Sequence, residues 1–272
     1  MDTRRLMAVL AHPDDESMAL GGTLAKYAAE GVEITVLCAT RGDAGRYGAE
    51  RGKLPPEELG RIRTRELQEA TRVLGVRDVH FLGYGDGRLD QADPDEAIRK
   101  IVGHIRRVRP QVVVTFGPDG LYGHPDHIAI SQLTTAAVAA ADDPNYVTPG
   151  FAPHSVCKLY YPAWSASTWA AYQGALKRLV MTVDGVERGA TPWPEWMITT
   201  VVDTSAHAEV AAEAVACHHS QVMVYERFNS MPLERRADLW RRQEFYRAMS
   251  TVNACVQREE DLFDDLTRAS WN

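Results

Sequence analysis

The chain has 272 residues, of which 45% are hydrophobic and 25% charged, and its formal net charge is −7. That length suits one large domain, or a domain with an appended lobe, and it is enough for a sizeable core. The negative charge gives no support to nucleic-acid or anionic-membrane binding, and no apolar run approaches the roughly 20 residues that span a bilayer. The N-terminus lacks the apolar core of a signal peptide and the cysteines are scattered, so we expect a cytoplasmic protein with free thiols.

The first half of the chain alternates apolar runs with segments of helical spacing. In chain order we predict a strand at "RLMAVLAH", a helix over 17–30, a strand at "VEITVLCAT", a Gly-rich loop at "GDAGRYGAERGKLPP", a helix at "EELGRIRTRELQEATRVLGV", a strand at "DVHFLG", a helix at "DPDEAIRKIVGHIRRVRP", a strand at "QVVVTFG" and a helix after "GHPDH". Nearly continuous apolar strands of this kind indicate an α/β fold, with a Rossmann-like, mostly parallel sheet and helices on both faces.

The second half has a weaker pattern. "CKLYYPAW" and "ITTVVDT" predict strands, and 205–219 and 233–249 predict helices. The Pro- and Asp-rich stretch 142–156 is a candidate boundary. We therefore predict a metal-binding catalytic core over 1–141 and a smaller C-terminal lobe over 142–272 that completes the sheet and the substrate pocket, the two forming one structural unit.

Histidines and aspartates cluster after two of the predicted strands. His12, Asp14 and Asp15 follow the first strand, and "GPDGLYGHPDH" (117–127) follows the fourth. In an open α/β sheet, ligands bind at the carboxyl ends of the strands, so the two clusters can share one pocket. Imidazole and carboxylate are ligands for a borderline divalent cation such as zinc, and a further carboxylate can act as general base on a metal-activated water.

Each cluster alone has a simpler interpretation. His-Pro and Asp-Asp pairs are common in turns and helix caps, and Asp126 could merely cap the helix that begins near His127. Two such clusters at strand ends of one sheet favour a metal site. The order of metal affinities does not exclude iron, cobalt or nickel.

The paired motifs "AHPDDE" and "GHPDH" resemble those of the LmbE-like, or PIG-L, family of metal-dependent N-acetylglucosaminyl deacetylases. The resemblance runs from about residue 5 to residue 130, and "HHSQ" (218–221) matches more weakly. It implies a Rossmann-like fold, zinc, and removal of an acetyl group from an N-acetylated amino sugar. Position by position, it implies metal ligands at His12, Asp15 and His127, a general base at Asp14, an oxyanion or amine partner at His124, and an orienting carboxylate at Asp126.

Three further positions match the family less specifically. Arg63 and Asp86 resemble residues that contact sugar hydroxyls, and Tyr122 resembles a tyrosine that can donate to the oxyanion. A solvated helix arginine and an Asp-Gly turn are the alternatives for the first two. His218 has a family-like setting without an assignable role, and a core or helix-end histidine is the favoured interpretation.

Two other functions compete with deacetylation. Two histidines and one carboxylate also form the iron site of oxygenases, although those enzymes usually have β-barrels. A non-catalytic Rossmann-like sugar- or nucleotide-binding module is the second alternative, but no G-x-G-x-x-G follows the first strand. We predict a zinc-dependent hydrolase, with Fe²⁺ as a possible substitute, that acts on a small N-acetylated amino sugar or conjugate. Relatives suggest a homo-oligomer, while the sugar and its aglycone stay open.

Four tryptophans lie between residues 164 and 196, outside the motif-bearing half: Trp164, Trp169, Trp193 and Trp196. "ATPWPEWM" (190–197) is interrupted by prolines and predicts a loop. Aromatic rings on a loop can stack on the C–H faces of a sugar, so this segment would form a binding surface for the part of the substrate beyond the acetylated ring. Packing in the second lobe or at an oligomer interface is the alternative.

Overall fold

A seven-stranded mixed sheet forms the centre of the structure, a computed structural model that describes residues 3–48, 50–51, 54–175, 180–223, 226–252 and 258–266. The strands are β1 Arg5–Leu10, β2 Glu33–Thr40, β3 Arg46–Tyr47, β4 Glu50–Arg51, β5 Asp78–Tyr84, β6 Val112–Val114, β7 Lys158–Pro162, β8 Val180–Val183, β9 Val186–Gly189, β10 Thr200–Asp203 and β11 Arg242–Ser250. The main sheet has the order β10-β11-β7-β6-β1-β2-β5, while β3 pairs with β4 and β8 with β9.

The five strands from β7 to β5 are parallel, and β11 runs antiparallel to both β7 and β10. Strand β1 pairs with β2 from Arg5↔Glu33 to Leu10↔Cys38. Every residue of β1 after Arg5 is buried, so both faces of the sheet are covered at its centre. The predicted α/β fold with a mostly parallel sheet is confirmed.

Helices cover the sheet in two packed groups, α1 with α2 and α7, and α3 with α5. The helices are α1 Asp15–Ala29, α2 Pro56–Val73, α3 Pro94–Val108, α4 Gly120–Gly123, α5 Pro125–Asp142, α6 Ala166–Ala175, α7 Ala208–Cys217, α8 His219–Val222, α9 Glu226–Ser230 and α10 Leu233–Ala237. Short 3-10 turns occur at Leu89–Gln91, Glu195–Met197, Ser205–His207 and Asp238–Trp240.

The helix predicted over 233–249 is wrong. Helix α10 ends at Ala237, and β11 begins at Arg242 and inserts between β7 and β10. The strand is difficult to recognise in the sequence because it contains two polar residues, Gln243 and Glu244, that are nevertheless buried. Their side chains accept hydrogen bonds from distant backbone amides, those of Thr23 and Ser165. Pairing with β7 and β10 overrides the local helical pattern.

The predicted division at residue 141 stays a prediction, although β7, β10 and β11 from the C-terminal part do extend the sheet. Within the described ranges, no helix is both long and apolar enough to cross a membrane. Cys38 is a buried free thiol, and Cys255 lies outside the described residues.

Candidate metal centre

The predicted site residues come from loops at the carboxyl ends of adjacent strands. Strand β1 ends at Leu10, and β6, its neighbour in the sheet, ends at Val114. Strand β2 lies on the other side of β1, and β7 lies on the other side of β6. The connection after β1 and the connection after β6 therefore lead to opposite sides of the sheet, which makes the junction of β1 and β6 a topological switch point. Crevices at such switch points are where open α/β sheets bind their ligands. The fold therefore brings the two motifs together.

Three buried side chains direct ligand atoms at one point. Nδ1 of His12 lies 3.2 Å from Nε2 of His127, which lies 3.4 Å from Oδ1 of Asp15. The distance from Nδ1 of His12 to Oδ2 of Asp15 is 3.8 Å. Tetrahedral zinc with bonds of about 2.0–2.2 Å holds its ligand atoms about 3.3–3.6 Å apart. The spacing and the donor types fit a divalent transition-metal ion.

Two carboxylates, those of Asp86 and Asp126, lie beside Nε2 of His12, the ring nitrogen that faces away from His127. Nε2 of His12 lies 3.0 Å from Oδ1 of Asp86 and 3.1 Å from Oδ2 of Asp126. A proton on Nε2 satisfies these carboxylates and leaves the lone pair of Nδ1 free for a metal. Burial alone would lower the pKa of His12, but its hydrogen bonds with Asp126 and Asp86 raise that pKa to about 10, so a metal would bind Nδ1 by displacing the proton that this nitrogen otherwise carries.

Asp126 is held rigidly and does not cap the helix. Its carboxylate accepts hydrogen bonds from the backbone amides of Gly87, at 2.7 Å, and Leu89, at 3.0 Å. The residue at the start of α5 that accepts a backbone amide is His124, whose Nδ1 lies 3.2 Å from the amide of Asp126. The hydrogen bond of Asp126 to His12 and that of the Asp126 amide to His124 therefore account for the group formed by His12, His124 and Asp126 without a second metal.

Asp15 is oriented by the end of its own strand. Its Oδ2 accepts hydrogen bonds from the amides of Ala11, at 3.1 Å, and His12, at 2.8 Å. Burial raises the pKa of Asp15 to about 7. A bound cation would hold this carboxylate in its ionised form, which couples metal affinity to pH.

Asp14 adopts a backbone conformation that residues other than glycine rarely adopt, with φ 117° and ψ −25°. Its side chain is 25% exposed, so it reaches the open part of the site. Nη2 of Arg63 lies 3.2 Å from Oδ2 of Asp14 and also bonds to the carbonyl of Pro13. Burial raises the pKa of Asp14 in spite of the Arg63 guanidinium, which strengthens the carboxylate as a base.

Residues 7–138 match the model of the PIG-L family, described as GlcNAc-PI de-N-acetylase. The chain is 40% identical to the 1D-myo-inositol 2-acetamido-2-deoxy-alpha-D-glucopyranoside deacetylase of Rhodococcus jostii (strain RHA1), over 82% of this chain and 84% of that protein. The chain belongs to the PIG-L family. Among solved structures, the conserved protein TT1542 from Thermus thermophilus superimposes on this PIG-L fold with a TM-score of 0.66 at 28% identity, covering 93% of this chain and 98% of that one.

The fold also matches N,N'-diacetylchitobiose deacetylase from Pyrococcus horikoshii, with a TM-score of 0.64 at 24% identity over 84% of this chain and 75% of that one. The predicted family is confirmed. The roles that the PIG-L resemblance implies for single residues stay predictions, and the geometry shows which of those residues share one pocket.

The three residues that match the family less specifically, Arg63, Asp86 and Tyr122, all lie at this site. Arg63 is 4% exposed and bonds to the loop that carries Asp14, so it is not a solvated helix arginine. Asp86 accepts a hydrogen bond from the amide of Ala44 and faces His12, beyond what an Asp-Gly turn requires. The ring of Tyr122 lies edge-on to that of His124, with 5.9 Å between centroids.

His124 is a neutral hydrogen-bond donor in this arrangement. Its ring stacks against that of His127, with centroids 4.7 Å apart. Burial, followed by the neighbouring His12, lowers the pKa of His124 to about 4. Because Nδ1 accepts the amide of Asp126, the single proton of the neutral ring lies on Nε2. His124 can therefore donate a hydrogen bond to an oxygen at the site.

The sequence interpretation missed two buried carboxylates. Glu16 is fully buried and contacts Nε2 of His218 at 2.6 Å, and Glu66 accepts two hydrogen bonds from Ser220. Two features of the sequence pointed to these contacts: Glu16 is the final residue of "AHPDDE", and the "HHSQ" segment that supplies His218 and Ser220 had no assigned role. His218 is a buried histidine between α7 and α8, as its sequence setting suggested.

Proposed function

We propose that this PIG-L family member is a zinc-dependent deacetylase whose substrate is N-acetylglucosamine joined to inositol. The broader prediction, deacetylation of an N-acetylglucosamine-type substrate, is confirmed by the family and by the names of its relatives. The inositol aglycone is taken from the Rhodococcus jostii relative. The observation that carries the proposal is the convergence of His12, Asp15 and His127 within 3.2–3.8 Å, beside the Asp14 carboxylate.

The three ligand residues would hold the cation, and the remaining groups would move protons and stabilise charge. A divalent cation bound there would polarise the acetyl carbonyl and lower the pKa of a water ligand. Asp14 accepts a proton from water as the water oxygen attacks the acetyl carbon. Nε2–H of His124, with Tyr122 beside it, donates to the carbonyl oxygen as negative charge develops on it.

The leaving nitrogen needs a proton when its bond to the acetyl carbon breaks. The neutral ring of His124 would become an anion if it gave up its Nε2 proton, which makes it a poor acid here. Protonated Asp14 carries the proton taken from water, so we assign it the transfer to the nitrogen. The bond between nitrogen and the acetyl carbon breaks as the nitrogen receives this proton, and after the carboxyl product ionises the products are acetate and the protonated amine. Arg63 keeps the Asp14 carboxylate beside the site through both transfers.

The donor set of two imidazoles and one carboxylate supports zinc, and relatives that act on small sugar conjugates support a small-molecule substrate. We also propose that the protein forms a homo-oligomer and is located in the cytoplasm.

The test is a comparison of three substrates. Release of free amine is measured for N-acetylglucosaminyl inositol, N,N'-diacetylchitobiose and N-acetylglucosamine, before and after chelation and after addition of Zn²⁺, Fe²⁺ or Co²⁺. We expect the inositol conjugate to have the highest kcat/KM and chelation to abolish turnover. Absence of amine from all three substrates with every metal would contradict the proposal. Oxygen consumption would favour the oxygenase, and saturable binding without turnover would favour the binding module.

A further inference from the structure

The "HHSQ" segment, residues 218–221, contacts three separate elements next to the site. His218 faces Glu16 at the start of α1, and Ser220 faces Glu66 on α2. The side-chain amide of Gln221 donates to the carbonyl of Arg46 in β3. His218 and Ser220 are fully buried, whereas His219 between them is exposed. The segment thus presents alternate polar side chains to buried partners.

The first contact leads to the backbone of Asp14. Oε1 of Glu16 lies 2.6 Å from Nε2 of His218 and 2.5 Å from the hydroxyl of Ser17. Its other oxygen, Oε2, accepts the backbone amide of Asp14 at 3.1 Å. That amide belongs to the residue with the unfavourable φ of 117°. A conformation of this kind persists only where the surroundings over-determine it. Glu16, held by His218, supplies one of those restraints.

The second contact leads to the side chain of Asp14. Ser220 donates both its amide, at 2.7 Å, and its hydroxyl, at 2.6 Å, to the two carboxylate oxygens of Glu66. Glu66 lies one helical turn after Arg63 on α2, and both are buried. Arg63 in turn contacts the Asp14 carboxylate at 3.2 Å. Ser220 therefore fixes the helix that carries the partner of Asp14.

Burial of two carboxylates is costly unless hydrogen bonds satisfy them, and apolar side chains would hold helices together at least as well. We propose that His218 and Ser220 are positioning residues for Asp14, one fixing its backbone through Glu16 and the other its carboxylate through α2 and Arg63. The inference rests on the proposed function, in which Asp14 moves the proton.

The test compares His218→Gln and Ser220→Ala with His219→Gln, a matched control on the exposed neighbour. We expect kcat to fall about tenfold or more for His218→Gln and by a smaller factor for Ser220→Ala, because displacement of a catalytic group by about 1 Å can cost 10²-fold. KM and bound zinc should stay at the wild-type level, and His219→Gln should match wild type throughout. Unchanged kcat in both variants would overturn the inference.

A double-mutant cycle separates positioning from general stability. In an Asp14→Asn background, His218→Gln and Ser220→Ala should cause little further loss, because residues that act through one group are not additive. Full additivity would overturn the inference. Loss of cooperative unfolding and of zinc in both single variants would assign the segment to stability and overturn it as well.

Amide hydrogen exchange provides a readout that does not depend on turnover. The amide of Asp14 should exchange faster in His218→Gln than in wild type or His219→Gln, because the Glu16 acceptor is no longer held. Suppose that the wild-type protein deacetylates none of the substrates but the Asp14 amide still exchanges faster in His218→Gln. The positioning of Asp14 would then be upheld, and the proposed function would be refuted. Unaltered exchange in an active enzyme would refute the positioning alone.

Discussion

The carboxylate of Asp126 lies 3.1 Å from Nε2 of His12, on the side of the ring opposite the nitrogen that faces His127. Two backbone amides hold that carboxylate in place. We therefore expect Asp126, together with Asp86, to favour a proton on Nε2 of His12 and so to influence a bound metal without touching it.

Replacing Asp126 tests this indirect role. Asp126→Ala should weaken zinc affinity by about 10–100-fold, the usual cost of losing a carboxylate that orients a ligating histidine. His127→Ala removes a ligand and should lose metal and activity together. Affinities are measured by competition with a coloured chelator, with Asp90→Ala, an exposed aspartate, as the control. Wild-type affinity in Asp126→Ala would show that His12 does not need this partner.

Asp14 can be tested without disturbing the ligands. Asp14→Asn should retain zinc but lose about 10²–10⁴-fold in kcat, because an amide cannot accept the proton of water. Elemental analysis and steady-state kinetics check the two parts. A variant within a few-fold of wild type would remove Asp14 from the mechanism.

His124 is assigned a hydrogen bond that matters as charge develops in the transition state. His124→Ala should keep its metal and lower kcat by about 10²-fold, in the range measured when one oxyanion donor is lost. The acetyl group binds in both enzymes, so KM should change little. If KM rises while kcat is unchanged, His124 is a binding residue.

The four tryptophans divide into two pairs. Trp164 and Trp169 are buried and stacked on each other, as in the packing alternative. Trp193 bonds to Asp119 in the loop after β6, whereas Trp196 is 81% exposed. Trp193→Ala should raise KM for the inositol conjugate more than for the monosaccharide, with Trp196→Ala as the comparison. Equal loss on both substrates, or a changed oligomeric state by size-exclusion chromatography, would favour packing.

The buried carboxylate of Glu259 predicts acid sensitivity. Glu259 accepts hydrogen bonds from Lys158, Tyr160 and Thr200. Burial would raise the pKa of Glu259, but these bonds, led by that from Lys158, lower it below its usual value of 4.5. The ionised group thus stabilises the fold fully above the unfolded-state pKa, and this contribution is lost as the pH falls through the lower folded-state pKa.

Glu259→Gln should lower Tm at pH 6, and its difference from wild type should shrink as the pH falls below about 4.5. Thermal melts from pH 6 to pH 3 measure this, with the exposed neighbour Glu260→Gln as the control. A constant difference across the range would contradict the assignment.

The parallel core and the meeting of the two motifs were predictable because both follow from local patterns. Apolar runs mark buried strands, and the ends of parallel strands share one edge. What the sequence could not supply are the individual side-chain contacts between distant residues. Asp14 meets Arg63 across 49 positions, and His218 meets Glu16 across 202. The strand at Arg242–Ser250 was missed for the same reason, since its buried Gln243 and Glu244 look polar until their partners are known.

The position of β11 between β7 and β10 has a consequence for synthesis on the ribosome. Strands β7 and β10 leave the ribosome first, but neither can join the other until residues 242–250 follow. Until then the parallel core has an open edge at β7, which is a template for pairing with another nascent chain. Gln243 also bonds to α1, the helix that begins at Asp15. A growing chain therefore carries both the "AHPDDE" and "GHPDH" motifs before it can close the sheet, and β7 stays an open edge during that interval.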